Sequence, residues 1–68
     1  MVDTNALRGK IAEKRLSQSK VAEALGITPK TFYEKMGRGV FGSDEIEKMI
    51  ELLDIEDPTA IFFVKQVT

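Results

Sequence analysis

Residues 17–36 read SQSKVAEALGITPKTFYEKM and carry the signals of two consecutive short helices. Ser17 is suited to cap the first helix, because its side-chain oxygen can accept a hydrogen bond from an otherwise unpaired amide. Gly26 suits the end of that helix, where a left-handed backbone is common. The pair Thr28-Pro29 is a cap followed by the residue that best fits the first helical position. We therefore expect a second helix at about 28–37, after a turn of about three or four residues.

The apolar residues of these two helices place one face of each helix inside. Val21, Ala22 and Leu25 form the inner face of the first helix, and Phe32 and Met36, four residues apart, form that of the second. The short turn predicts a steep crossing, as in a helix-turn-helix, although periodicity alone leaves open an ordinary helical hairpin in a small bundle. The face of the second helix that turns outward comprises Pro29, Lys30, Tyr33, Glu34 and Gly37.

Amphipathic segments flank this pair of helices. We expect a helix over about 4–16, a loop over 37–42, a fourth helix capped by Ser43, and a short fifth helix or turn opened by Asp57-Pro58. The fourth helix has apolar residues at the i, i+3, i+4, i+7 positions, namely Ile46, Met49, Ile50 and Leu53. The chain is thus predicted to form one all-α domain over residues 1–68 with four to five short helices.

The composition excludes several classes of protein. The 68 residues include no Cys and no His, which argues against a disulfide scaffold, a zinc finger, and thiol- or His-based catalysis. We expect no cofactor and no metal. The longest apolar run, residues 60–64, is too short to cross a bilayer, and no signal peptide is recognisable, so a bacterial cytoplasmic location is expected.

The charge is unevenly distributed along the chain. Residues 1–42 carry eight Lys or Arg against four acids, a net charge of +4, whereas residues 43–68 carry two Lys against seven acids, a net charge of −5. Such asymmetry is typical of proteins in which a basic half faces nucleic acid and an acidic half lies away from it. It also fits a protein whose two halves are simply solvated helix surfaces.

Residues 16–33 resemble the helix-turn-helix of the lambda-repressor-like (Cro/repressor) family of phage and bacterial regulators. The matching positions include Gln18 at the start of the first motif helix, Ala22 at the close helix contact and Gly26-Ile27 in the turn. Thr28 and Thr31-Phe32 match the start of the recognition helix, and the resemblance covers about residues 4–55. It implies a lambda-repressor-like fold and a dimer that binds double-stranded DNA.

The resemblance also implies which residues contact DNA. The predicted base contacts are Pro29, Lys30 and Glu34, with Thr31 and Tyr33 at their flanks. Lys30 can donate to guanine and Glu34 can accept from cytosine, although the two could instead form an i, i+4 surface ion pair. The predicted contacts to DNA phosphates are Ser17, Gln18, Thr28, Arg38 and Gly39.

The sequence departs from the family pattern at two positions. Arg15 stands in the turn before the first motif helix, where the family commonly has Gly. Lys35 occupies the usual place of the second inward residue of the recognition helix, and Met36 takes over that role. The first departure bears on the geometry of the turn, and the second on the rotation of the recognition helix.

The C-terminal residues are more apolar than a loose tail requires. Residues 58–68 are predicted to form a fifth helix or a dimerisation tail, and the sequence leaves open whether the tail pairs as a helix or as a strand. Ile61 and one Phe are expected to pack on the core. The candidates for a dimer interface are Ile61, Phe62, Phe63, Val64 and Val67.

The patterns typical of enzymes lack their context here. The G-x-G-x-x-G at residues 37–42 has no preceding strand, and the S-x-x-K at 17–20 has no companion motifs. We place the carboxylates of Asp44, Glu45, Glu47 and Glu51 on an exposed helix face without burial to shift a pKa. The chain is therefore not expected to be an enzyme.

The sequence favours a DNA-binding transcriptional regulator of the phage or prophage Cro/repressor type that binds a pseudo-palindromic operator as a homodimer. No small-molecule effector site and no membrane contact are expected. The alternative is a protein-interaction module, such as an antirepressor or an antitoxin-like partner, that uses the acidic segment 43–57 as its contact face.

Overall fold

The computed structural model describes residues 2–63, which form five α-helices and no strand. This confirms the predicted all-α fold. Among the described residues, no helix has the length and the apolarity needed to cross a bilayer. Val64 and Val67 of the predicted tail lie outside the described residues. The helices are α1 (Thr4–Glu13), α2 (Gln18–Leu25), α3 (Pro29–Arg38), α4 (Ser43–Leu52) and α5 (Pro58–Phe62).

The caps of α2 and α3 are those that the sequence predicts. Ser17 Oγ accepts a hydrogen bond from the Lys20 amide at 3.1 Å, and α2 ends at Gly26 with a left-handed φ of 77°. Thr28 Oγ1 accepts from the Thr31 amide at 3.2 Å at the start of α3. These hydrogen bonds between near neighbours in the chain fix where both helices of the motif begin, and the left-handed glycine fixes where α2 ends.

Three predicted boundaries are wrong. α1 ends at Glu13 rather than near residue 16, because the backbone turns left-handed at Arg15, with φ of 58°. α3 continues to Arg38, so the loop that follows it is shorter than predicted. Ser43 is the first residue of α4 and not its cap, since Gly42 takes the cap position and its amide donates to Glu45 Oε1 at 2.8 Å.

A single apolar cluster, formed by side chains from all five helices and their connections, lies at the centre of the fold. The expected inner faces of α2 and α3 all belong to it, and Phe32 is fully buried. The rings of Phe32 and Phe41 lie 5.5 Å apart, which joins α3 to the segment after it. α2 packs against α1, α3 and α4, so α3 lies on one side of the bundle.

The described part of the tail packs mainly on the chain's own core. Ile61 and Phe62 are buried, with 7% and 2% of their surfaces exposed, whereas Phe63 is 56% exposed. The Asp3 amide donates to the Ile61 carbonyl at 2.7 Å and ties α5 to the start of α1. Because the core absorbs the first two of the predicted interface residues, Phe63 alone among the described ones is free to meet a second copy.

We expect the Arg15→Gly variant to be more stable than the wild-type protein by about 0.5–1 kcal/mol, because a left-handed backbone costs an L-residue energy that glycine does not incur. Urea unfolding followed by circular dichroism measures the difference. Arg8→Gly is the matched control, since Arg8 lies within α1, where glycine destabilises by about 1 kcal/mol. A lower stability of Arg15→Gly would contradict this assignment of strain.

Candidate nucleic-acid interface

The helices α2 and α3 form a helix-turn-helix. Gly26 is left-handed, and the Ile27 amide donates to the Ala22 carbonyl at 3.1 Å, so the turn between the helices is closed by backbone hydrogen bonds. Ala22 is fully buried at this contact, where its small side chain permits a close approach of the helices. The turn is therefore as short as the sequence predicts for a helix-turn-helix.

The outer face of α3 is polar and solvent-exposed. Phe32 and Met36 point into the core, with 0% and 3% of their surfaces exposed. Within residues 2–63, Lys30 and Glu34 form no ion pair with each other, so the alternative of an internal surface pair is not what the structure shows. The exposed residues of the helix are Pro29, Lys30, Tyr33, Glu34, Gly37 and Arg38.

Thr31, predicted as a flanking base contact, is half-buried and is engaged by the helix cap. The Thr28 hydroxyl donates to Thr31 Oγ1 at 2.9 Å while it accepts from the Thr31 amide at 3.2 Å. Both side chains are therefore held in place at the start of α3. The fixed cap stabilises the helix end that precedes Lys30.

A polar contact links α3 to the start of α2. The hydroxyls of Tyr33 and Ser19 lie 3.4 Å apart, and Tyr33 remains 51% exposed. This contact brings Ser19, in the first turn of α2, beside Tyr33 on the outer face of α3. Ser19 is a component of this surface that the sequence analysis does not single out.

The N-terminus of α2 has the chemistry of an anion site. Helix geometry leaves the amides of Gln18 and Ser19 without an acceptor one turn earlier, and they carry the partial positive charge of the helix start. Gln18 is half-buried beside the exposed Ser17, whose Oγ already accepts from Lys20. Backbone amides at such a terminus can donate to a phosphate oxygen.

Gly39, a predicted phosphate contact, has its backbone groups engaged within the protein. Its amide donates to the carbonyls of Lys35 and Met36, at 2.9 and 3.2 Å, and its own carbonyl accepts from the Val2 amide at 3.1 Å. The residue is also buried. The reason is that Gly39 is the left-handed C-cap of α3, with φ of 69°, and its amide closes the helix. Arg38 is exposed and keeps its phosphate role as a prediction.

Lys35 and Glu45 form an ion pair between α3 and α4 that the sequence analysis missed. Lys35 Nζ lies 2.7 Å from both carboxylate oxygens of Glu45. The Glu45 side chain is only 14% exposed, which corrects its predicted place on a fully exposed face. Burial raises the pKa of Glu45, but hydrogen bonds from Lys35 and the Gly42 amide, with the charges of Lys35 and Lys48, outweigh it and hold the pKa below its usual value.

The lowered pKa of Glu45 predicts an acid-sensitive contribution to stability. Since the folded-state pKa is lower than the unfolded one, the stabilisation is present above about pH 4.5 and is lost as the pH falls through the folded-state pKa. We expect Glu45→Gln to be less stable than the wild type by about 1–2 kcal/mol at pH 7. Urea unfolding from pH 7 to pH 3 should show this difference shrinking in acid, and a constant difference would contradict the prediction.

The fold and this surface define a helix-turn-helix protein whose second motif helix, α3, presents a polar face to solvent. The family model for the bacterial regulatory proteins of the Fis family matches residues 6–39, which is half of the chain and extends from α1 to the cap of α3. The chain belongs to this family of helix-turn-helix DNA-binding regulators. The match does not single out the Cro/repressor type. No curated protein and no solved structure matches the chain significantly.

Proposed function

We propose that the protein is a sequence-specific DNA-binding transcriptional regulator that inserts α3 into the major groove. The observation that carries this proposal is the orientation of α3, with Phe32 and Met36 buried and Lys30, Tyr33 and Glu34 exposed. A B-DNA major groove about 12 Å wide accepts one α-helix whose outer face is polar. The ten residues of α3 span about 15 Å, enough to follow several base pairs.

The exposed side chains suit direct recognition of base pairs. The Lys30 ammonium can donate to O6 and N7 of guanine, and the Glu34 carboxylate can accept from N4 of cytosine. Neither side chain forms an ion pair within residues 2–63, so neither has to leave a partner before it contacts a base. Pro29 and Tyr33 lie on the same face and supply apolar contact, for example with a thymine methyl group.

Contacts to the sugar-phosphate backbone would flank this reading surface. Gln18 and the free amides at the start of α2 lie on one side, where the contact between Ser19 and Tyr33 joins α2 to α3. Arg38, at the C-terminal end of α3, lies on the other side. Such contacts fix the register of the protein on the duplex without reading its sequence.

The proposal includes a homodimer of the phage or prophage Cro/repressor type, acting in the bacterial cytoplasm. An apolar groove of about 380 Å³ lies between α4 and the end of α5, lined by Phe41, Ile46, Ile50 and Phe63 among others. The exposed Phe63 beside this groove supports a role in pairing with a second copy. A two-fold dimer would read half-sites about 34 Å apart and would repress by excluding polymerase from the promoter.

Selection of bound duplexes from a random pool tests the proposed function. We expect an enriched motif of two inverted half-sites whose centres lie about 10 base pairs, or a multiple of the helical turn, apart. Footprinting of the selected duplex should protect one face of the DNA. Recovery of unrelated sequences after repeated rounds would contradict sequence-specific binding. Enrichment of a single half-site would contradict the proposed dimer but not the sequence-specific binding.

The second candidate function is a protein-interaction module, favoured by the acidic surface of α4. Asp44, Glu47 and Glu51 are exposed, and none of them forms an ion pair within the described part of the chain. Capture of a stable protein partner that is lost on replacement of all three by their amides, together with an absence of duplex binding, would decide for this function. Glu45 is left unchanged in that variant because it is paired with Lys35.

A further inference from the structure

The Lys35 side chain faces away from the exposed face of α3 that carries Lys30 and Glu34. It extends toward the start of α4, where Nζ lies 2.7 Å from each oxygen of the Glu45 carboxylate. Of the three cations on α3, Lys35 is the only one with an ion-pair partner among the described residues. Its positive charge is therefore already balanced by the protein itself.

The carboxylate of Glu45 is itself fixed to the backbone. Oε1 accepts a hydrogen bond from the Gly42 amide at 2.8 Å in addition to the one from Lys35. The ion pair is therefore anchored to the backbone at the start of α4. The side chains of Lys35 and Glu45 are 33% and 14% exposed. Hydrogen bonds with charged groups in such a sheltered place are stronger and better ordered than those of a surface ion pair.

The ion pair is a second polar contact of α3, in addition to the contact of the helix with α2. At the fifth of the ten residues of α3, the Tyr33 hydroxyl lies 3.4 Å from that of Ser19 on α2. Two residues later, Lys35 donates to Glu45, which lies ten residues further along the chain. The ion pair lies on a different side of α3 from the longer Ser19–Tyr33 contact, and its two 2.7 Å bonds oppose rotation of the helix about its axis.

We propose that Lys35 and Glu45 are positioning residues, which fix the rotation of α3 so that Lys30 and Glu34 meet the base edges, and that Lys35 does not contact DNA phosphate. This inference rests on the proposed function of α3 in reading DNA. A recognition surface tolerates displacements of only about 0.5 Å, so a small rotation of α3 would weaken base contacts. Contacts to the phosphates depend mainly on charge and would change little.

The test compares wild type, Lys35→Met, Glu45→Gln, the double variant and Lys35→Arg. Each is titrated against the duplex returned by selection and an unrelated duplex of equal length, over a range of salt concentrations. Circular dichroism sets a temperature at which each protein is folded. Glu45→Gln keeps the size of the side chain and an oxygen that can accept from the Gly42 amide, so it decides the outcome alone if Lys35→Met fails to fold.

We expect Lys35→Met and Glu45→Gln each to lose about tenfold in affinity for the selected duplex, comparable to the loss of one base contact, with little change for the unrelated duplex. The double variant should resemble the single ones, since each removes the charge pairing between Lys35 and Glu45. Lys35→Arg should retain most of the wild-type affinity, because the guanidinium of arginine can also pair with the Glu45 carboxylate. The slope of log affinity against log salt should stay that of the wild type.

Two results would overturn the inference while the proposed function stands. A smaller salt slope for Lys35→Met, with equal weakening on both duplexes, would make Lys35 a phosphate contact. Unchanged affinity in all folded variants would give the ion pair a role in stability only. Failure of the wild-type protein to prefer the selected duplex would overturn the proposed function, and this inference with it.

Discussion

Phe32→Ala is expected to remove a large part of the stability of the protein. Phe32 is fully buried and is the largest of the fully buried side chains. Truncation of such a side chain costs about 3–5 kcal/mol, because apolar burial is lost and a cavity remains. A domain of this length has a total stability of about 3–10 kcal/mol. Thermal and urea unfolding followed by circular dichroism should therefore show a free energy of unfolding lower by about 3–5 kcal/mol than that of the wild type.

Tyr33→Ala is the matched control for this prediction. Tyr33 is the adjacent aromatic residue, but it is 51% exposed and its hydroxyl contact with Ser19 is 3.4 Å long. Its removal should cost no more than about 1 kcal/mol. Equal losses for the two variants would mean that α3 is rotated from the orientation described, and the identity of its outward face would then be wrong.

Lys30→Ala and Arg38→Ala are expected to weaken DNA binding in different ways. Loss of the Lys30 ammonium should cost about 1–3 kcal/mol on the selected duplex and relax the preference at one base pair. Loss of Arg38 should weaken binding to all sequences similarly and lower the magnitude of the salt slope by about one. Titration of each variant against the selected duplex and single-base variants of it separates the two outcomes.

Lys48→Ala controls for the loss of one positive charge in general. Lys48 is exposed beside Glu51 and Leu52, and it lies on α4 rather than on the proposed reading helix α3. Its replacement should leave the base preference unchanged and alter affinity by less than about threefold. A relaxed preference in Arg38→Ala, or an unrelaxed one in Lys30→Ala, would contradict the assigned roles on α3.

The parts of the fold that depend on neighbouring residues could be predicted from the sequence. The hydroxyls of Ser17 and Thr28 cap their helices as expected, since the acceptor and the amide lie three residues apart. The burial of Phe32 and Met36 follows from their spacing on a helix. The resulting polar face of α3, which is the basis of the candidate site, was therefore predictable as well.

The parts that depend on tertiary contact could not be predicted in this way. The ion pair of Lys35 with Glu45 requires the angle between α3 and α4, which no local pattern encodes. The engagement of the Gly39 amide depends on where α3 ends, and helix ends are the least certain feature of a sequence-based prediction. Even so, Glu at the third position after Gly42 was a readable signal for a capping interaction.

Whether the exposed face of α3 binds duplex DNA can be measured by titrating the selected, fluorescently labelled duplex at increasing salt. We expect tight binding at low ionic strength that weakens steeply as salt is added, with a slope of about −0.9 in log affinity against log salt for each phosphate contact. We also expect Lys30→Ala to bind this duplex more weakly. An absence of salt-sensitive binding at low ionic strength would contradict DNA binding by this face.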